Sequence, residues 1–99
     1  MMEVHVCNRR GALLRAFALG DSDEVIIGRE ASCDIRIKSP AVSREHCAIE
    51  REGDGLILRD LGSTAGVIVG GQKKDRVQLS DGVEITIGPV ILKFYEGGL

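Results

Sequence analysis

Apolar residues in this 99-residue chain come in short runs that alternate with polar ones, and a glycine or a cluster of Asp, Asn and Ser ends nearly every run. Asp34-Ile35-Arg36-Ile37-Lys38 sets two isoleucines against three charged residues, and Val83-Glu84-Ile85-Thr86-Ile87 alternates just as cleanly. Side chains on an extended strand point to opposite faces with a period of two, so each such run is a half-buried strand. No stretch of about 10–15 residues with a helical period separates the runs, which argues against strand–helix–strand folds. Thirteen glycines against two prolines supply the tight turns such a chain needs.

In order, Val4-Cys7 reads as a short strand and Asn8-Arg9-Arg10-Gly11 as a turn. Ala12-Leu19 is rich in Ala and Leu, but it is short and bounded by turns on both sides, which favours a strand. Glu24-Ile27, Asp34-Lys38, Cys47-Arg51, Leu56-Leu61, Val67-Val69, Val77-Leu79, Val83-Ile87 and Val90-Tyr95 follow as strands, and residues 96–99 as a tail. Asp54-Gly55 marks one hairpin and Gly70-Gly71 another turn. Nine or ten short strands so spaced predict an all-β sandwich or barrel, with loops gathered at its two ends. The length fits one domain over 1–99, able to bury a core without metal or disulfides.

The net charge of −2 offers no bulk attraction to nucleic acid or to an anionic membrane, so neither is an expected partner. The three cysteines, Cys7, Cys33 and Cys47, are odd in number and lack a C-x-x-C pair, so buried thiols are expected rather than a disulfide framework or a metal site. No apolar run approaches the roughly 18 residues of a membrane span, and the first residues lack a signal-peptide pattern, so the expected location is cytoplasmic.

Three loops carry the residues suited to an anion. Gly28-Arg29 follows a β-branched run, Ser43-Arg44-Glu45-His46 follows a Pro-containing turn, and Gly62-Ser63-Thr64-Ala65-Gly66 follows another strand. A guanidinium presents a planar fork of donors that fits phosphate or carboxylate, and hydroxyls add further donors. Taken singly, each residue is more often a surface, structural or turn residue than a ligand contact. Ser43, His46 and Asp60 include the residue types of a hydrolytic triad, but the chain has no G-x-S-x-G, P-loop, G-x-G-x-x-G or H-E-x-x-H. No catalytic residue, metal ligand or cofactor is therefore assigned.

The motifs together resemble those of the forkhead-associated (FHA) domain. The matching pieces run in the family's order: Val25-Ile26-Ile27-Gly28-Arg29, Cys33-Asp34-Ile35-Arg36-Ile37, Val42-Ser43-Arg44-Glu45-His46-Cys47, Leu58-Arg59-Asp60-Leu61-Gly62-Ser63-Thr64, Gly66 and Leu79-Ser80-Asp81-Gly82 through Gly88. They cover residues 25–95, and the G-R, S-x-x-H, D-L-x-S and L-x-D-G set is specific in combination. The resemblance implies an eleven-stranded, mostly antiparallel β-sandwich whose loop end binds a phosphothreonine peptide, without catalysis. By position, Arg29 would pair with the phosphate, with Ser43 and Thr64 donating to it and Arg44 contributing a backbone N–H and charge. Gly28, His46 and Gly66 would support the loops, Gly28 by letting the chain turn and His46 by bracing it.

The sequence departs from the family where an Asn usually precedes Gly66 and holds the peptide main chain. That position is Ala65 here, and a later Asn-Gly is Gly70-Gly71. The expected partner is a threonine-phosphorylated protein or peptide, with a monomeric domain favoured. The alternative is a phospho-independent interaction or dimerisation module on the same scaffold, prompted by Ala65 and by an apolar patch or edge at Val67-Val69.

Overall fold

A computed structural model describes residues 1–97, and all its regular elements are strands. β1 (Met2–Asn8), β2 (Leu13–Ala18), β3 (Glu24–Gly28), β4 (Ile35–Arg36), β5 (Cys47–Glu52) and β6 (Gly55–Asp60) form the first part. β7 (Val67–Val69), β8 (Gln72–Lys74), β9 (Arg76–Leu79), β10 (Glu84–Ile87) and β11 (Val90–Glu96) complete it. Six strands pair in the order β2-β1-β11-β10-β7-β8 and five in the order β4-β3-β5-β6-β9. Every pairing between strands is antiparallel except that of β3 with β4, where Ile27 lies opposite Ile35. This is the expected all-β sandwich with eleven strands.

The two sheets close over one apolar layer. Val4 and Val6 of β1, Ile27 of β3, Ile49 of β5, Leu58 of β6, Ile85 and Ile87 of β10 and Leu92 and Phe94 of β11 are its buried centre. The register makes this layer continuous, because Val4 stands between Phe94 and Phe17 across two ladders. Each such side chain contributes about 1.5–3 kcal/mol by leaving water, which is why alternation alone suffices to specify the faces.

Four expectations shift. The run Asp34-Lys38 keeps its alternation, with Ile35 and Ile37 buried and Asp34, Arg36 and Lys38 exposed, yet only Ile35–Arg36 form a ladder. Ile37 N–H still reaches Gly28 O at 2.8 Å, and the chain then bends into the Ser39-Pro40 turn. β8 carries no apolar signal, since Gln72, Lys73 and Lys74 are all exposed, and it exists because Gly70 and Gly71 at φ 57° and 79° close a tight hairpin back onto β7. That hairpin removes the free edge expected at Val67-Val69: β7 is flanked by β10 and β8, and Val67 is fully buried. The free edges of this sheet are β2 and β8. Of the expected tail, Glu96 belongs to β11, and Gly98 and Leu99 lie outside the described residues.

Among the described residues no helix is long and apolar enough to cross a membrane. Cys7, Cys33 and Cys47 are buried free thiols. Burial drives the Cys47 thiol far above the ordinary value of 9.0, and Asp60 and Cys33 push it the same way. The folded chain therefore keeps this proton at a pH where the unfolded chain releases it. The raised value leaves stability unaffected below pH 9.0 and lowers it above that. The unfolding free energy should fall with a limiting slope of about 1.4 kcal/mol per pH unit from this thiol. Urea melts at a series of alkaline pH values would show the slope, and Cys47→Ala would flatten it; an equal slope in the variant would assign the loss to other groups.

Candidate functional site

The β3–β4, β4–β5 and β6–β7 loops meet at one end of the sandwich, joined by hydrogen bonds that can be followed residue by residue. β3 ends at Gly28, which has no left-handed backbone and so does not serve the turn expected of it. Its need is space. A Cβ there would overlap the Arg44 carbonyl oxygen and stand 2.9 Å from Glu45 Cα. This close approach lets Arg29 N–H donate to Ser43 O at 3.0 Å and Glu30 N–H donate to Arg44 O at 3.1 Å, zipping the first loop to the second.

His46 joins the second loop to the third. It is fully buried at the head of β5, and its own N–H donates to Ile27 O at 2.8 Å. Ser43 N–H donates to Nδ1 at 3.1 Å, so the ring proton belongs on Nε2, which donates to Gly66 O at 2.7 Å. One neutral imidazole thus spans both loops with both nitrogens satisfied. Gly66 sits at φ 83°, a backbone that glycine adopts without penalty.

The third loop is tied internally by two residues that the sequence motif contains but whose work it did not disclose. The Ser63 hydroxyl donates to Asp60 Oδ1 at 2.5 Å and accepts from Gly66 N–H at 3.0 Å. Asp60 Oδ2 also accepts from Gly62 N–H at 3.2 Å. The Asp-x-x-Ser spacing was the available signal, because short polar side chains at that separation fold a loop onto its own backbone.

These ties assemble a shallow depression of about 410 Å³ lined by Arg29, Ser43, Arg44, Thr64 and Ala65, with Pro40, Ala41 and Val42 as its apolar wall. All five residues expected to meet a ligand are therefore brought together. Arg29 Nε donates to Val42 O at 3.0 Å, which fixes the guanidinium and leaves its terminal nitrogens at the pocket. The Ser43 hydroxyl oxygen accepts from Thr64 N–H at 3.1 Å, so its own proton is left to donate. Thr64 thus acts through its backbone as well, setting Ser43. Arg44 is exposed on the rim, and its carbonyl also accepts from Cys33 Sγ at 3.2 Å. Among the described residues neither Arg29 nor Arg44 takes part in an ion pair. The pocket is polarised for an anion.

Ser43, His46 and Asp60 are not wired as a hydrolytic triad. His46 addresses the Ser43 backbone instead of its hydroxyl, and Asp60 addresses Ser63 and Gly62. A second depression, of about 510 Å³, is lined by Asp21, Asp54, Asp81 and Glu96 together with Arg51. Its net negative lining is unsuited to an anion.

A two-sheet sandwich with a buried histidine joining anion-facing loops defines the class, and comparison with known proteins gives the family. The family model described as FHA domain matches residues 25–88, and the chain belongs to that family. It is 35% identical over 89 residues to an oxoglutarate dehydrogenase inhibitor of Corynebacterium jeikeium, an alignment covering 90% of this chain and 62% of that protein. This chain therefore spans somewhat under two thirds of that relative's length.

Among solved structures it superposes with TM-score 0.84 and 28% identity on an FHA domain studied for phosphothreonine-dependent interactions, covering 99% of this chain and 98% of that one. It is also similar to Mycobacterium tuberculosis EmbR in complex with a low-affinity phosphopeptide, with TM-score 0.81 and 28% identity, covering 98% of this chain and 25% of that one.

Replacing His46 with Ala leaves the Ser43 N–H and the Gly66 carbonyl without their buried partner. Each such group costs about 1–3 kcal/mol, so the expected loss is roughly 2–6 kcal/mol in a denaturant melt. Amide exchange at Ser43 and Thr64 should rise together, as loops two and three separate. Unchanged exchange at both amides would show that the loops hold without the imidazole.

Proposed function

We propose that this chain is a non-catalytic recognition module that binds threonine-phosphorylated peptide or protein through the loop pocket. The observation that carries the proposal is the pairing of Arg29 and Ser43: a fixed guanidinium without a carboxylate partner stands beside a hydroxyl whose acceptor side is already used by Thr64. Both groups are set to donate, and a phosphate offers acceptor oxygens only. Phosphothreonine carries a charge of about −1.5 to −2, so bonds to it are charge-assisted. The apolar wall of Pro40, Ala41 and Val42 offers contact for a γ-methyl. Membership of the FHA family and the phosphopeptide bound to a neighbour of the same fold support this use of the pocket.

Each charge-assisted hydrogen bond contributes about 1.5–3 kcal/mol, and micromolar binding needs about 8 kcal/mol in all. The phosphate contacts must therefore be joined by contacts to the peptide chain. Titration of a threonine-phosphorylated peptide library by calorimetry should find binders whose unphosphorylated forms do not bind. Arg29→Ala should weaken them by roughly 10–100-fold. Affinity should also fall as the pH drops below about 6, where the phosphate loses its second charge. A library with no binders, or an Arg29→Ala variant that binds like wild type, would sink the proposal.

Ala65 is exposed on the pocket rim, where its methyl cannot hydrogen-bond a peptide backbone. Ala65→Asn supplies an amide with both a donor and an acceptor. It should tighten phosphopeptide binding by about 1–3 kcal/mol, roughly 5–150-fold. An unchanged or weaker affinity would mean that position 65 does not meet the peptide main chain.

A further inference from the structure

We propose that a second anion subsite, formed by Arg36 and Lys38, adjoins the phosphate pocket and takes a second acidic group of the same ligand, a phosphate or a carboxylate. The proposal rests on the phosphopeptide function above. A depression of about 360 Å³ lies between Arg29, Arg36, Lys38, Ser39 and Pro40, and it shares Arg29 and Pro40 with the phosphate pocket. A ligand can therefore run from one to the other without leaving the surface.

The cations of this shelf are placed by the core. The alternation around β4 turns Ile35 and Ile37 inward, so Arg36 and Lys38 emerge on the same outer face. Arg36 is held as well as exposed. Its Nε donates to Arg29 O at 3.0 Å, which sets the second guanidinium beside the first and leaves its terminal nitrogens outward. Arg15, reaching across from β2, donates to Arg36 O and anchors the same backbone from the other sheet. The Ser39-Pro40 turn that closes the shelf is fixed by Val42 N–H donating to Ser39 O at 3.0 Å and Ala41 N–H donating to Ser39 Oγ at 3.2 Å.

Charge points the same way. Among the described residues Arg29, Arg36, Lys38 and Arg44 are in no ion pair, and Asp34, the acid within this segment, accepts from Ile26 N–H at 2.8 Å. Glu30 and Glu45 face the separate hollow on the other side of Arg44. Three cations, Arg29, Arg36 and Lys38, line this shelf with no acid beside them, more than the charge of about −2 on one phosphate. A chain whose net charge is −2 thus keeps a local positive surplus next to its ligand pocket. A second acid on the ligand would neutralise that surplus.

An extended peptide advances about 3.4 Å per residue, so the second acid should lie within about four residues of the phosphothreonine. The test uses one phosphothreonine peptide in an otherwise uncharged sequence, with Asp or phosphoserine walked through the neighbouring positions. At one position or a pair of adjacent ones, wild type should gain roughly 3–10-fold in affinity, the scale of two exposed ion pairs. A gain with both residues assigns general acid recognition, and a gain with phosphoserine alone assigns a second phosphate.

Lys38→Ala and Arg36→Gln should each remove much of the gain while keeping the affinity for the singly phosphorylated peptide, which also shows that they fold. No gain at any position, or a gain that survives in both variants, overturns the subsite while leaving the pocket intact. Failure of wild type to bind any singly phosphorylated peptide overturns the phosphopeptide function, and the subsite with it.

Discussion

The site depends on one buried imidazole. His46 accepts from the backbone of one loop and donates to the backbone of another, and its ring is fully buried as it does so. Ile37 and Val42 anchor the second loop in the core, but the residues around His46 in the third loop are glycine, serine and threonine, which have little apolar surface with which to hold themselves together. Their order comes instead from a chain of directional bonds. Arg29 bonds to Ser43, Ser43 to His46, His46 to Gly66, Gly66 to Ser63, and Ser63 to Asp60. A ligand meeting such loops finds its donors already in position, so little of the binding energy is spent on ordering them.

The apolar pattern made the sandwich legible because burial and alternation report the same thing: residues that point inward must be apolar at every second position. Ile35 and Ile37 follow this rule even where the ladder itself stops. β8 escaped because its hairpin is specified by Gly70 and Gly71, and a three-residue polar edge strand carries no pattern of its own. The residue types at the pocket were legible through the family motif, but their division of labour was not. That Gly28 is needed for the approach of the Arg44 carbonyl, or that Thr64 positions Ser43 through an amide, depends on contacts between segments far apart in sequence. Nothing local encodes those contacts.

The charges are arranged with similar economy. The outer face of the five-stranded sheet pairs its own ions: Arg59 meets Glu50 at 2.8 Å, and Arg76 meets Glu52. The hydrogen bond from Arg59 holds the Glu50 carboxyl below its ordinary range. At the loop end the cations are left without such partners, and the opposite end gathers Asp21, Asp54, Asp81 and Glu96. The domain is therefore electrically polar along its length although its net charge is small. An anionic ligand would be turned toward the loops before contact, an effect that salt would weaken.

The pairing of β1 with β11 has a consequence beyond sheet geometry. Met2 stands opposite Glu96, and Asn8 opposite Val90, so the ladder joins segments at the two extremes of the described chain. At its loop-side end, the β10–β11 turn at Gly88 packs against Val42 and Ala41, and Arg9 donates to Gly88 O at 2.9 Å. The wall of the pocket is thus backed by one end of a long-range ladder. Such contacts form slowly, because the chain must give up a large loop entropy before they are made. A partly folded chain would have Arg29 and Ser43 in its sequence and no pocket between them, so the pocket itself is a report that folding is complete.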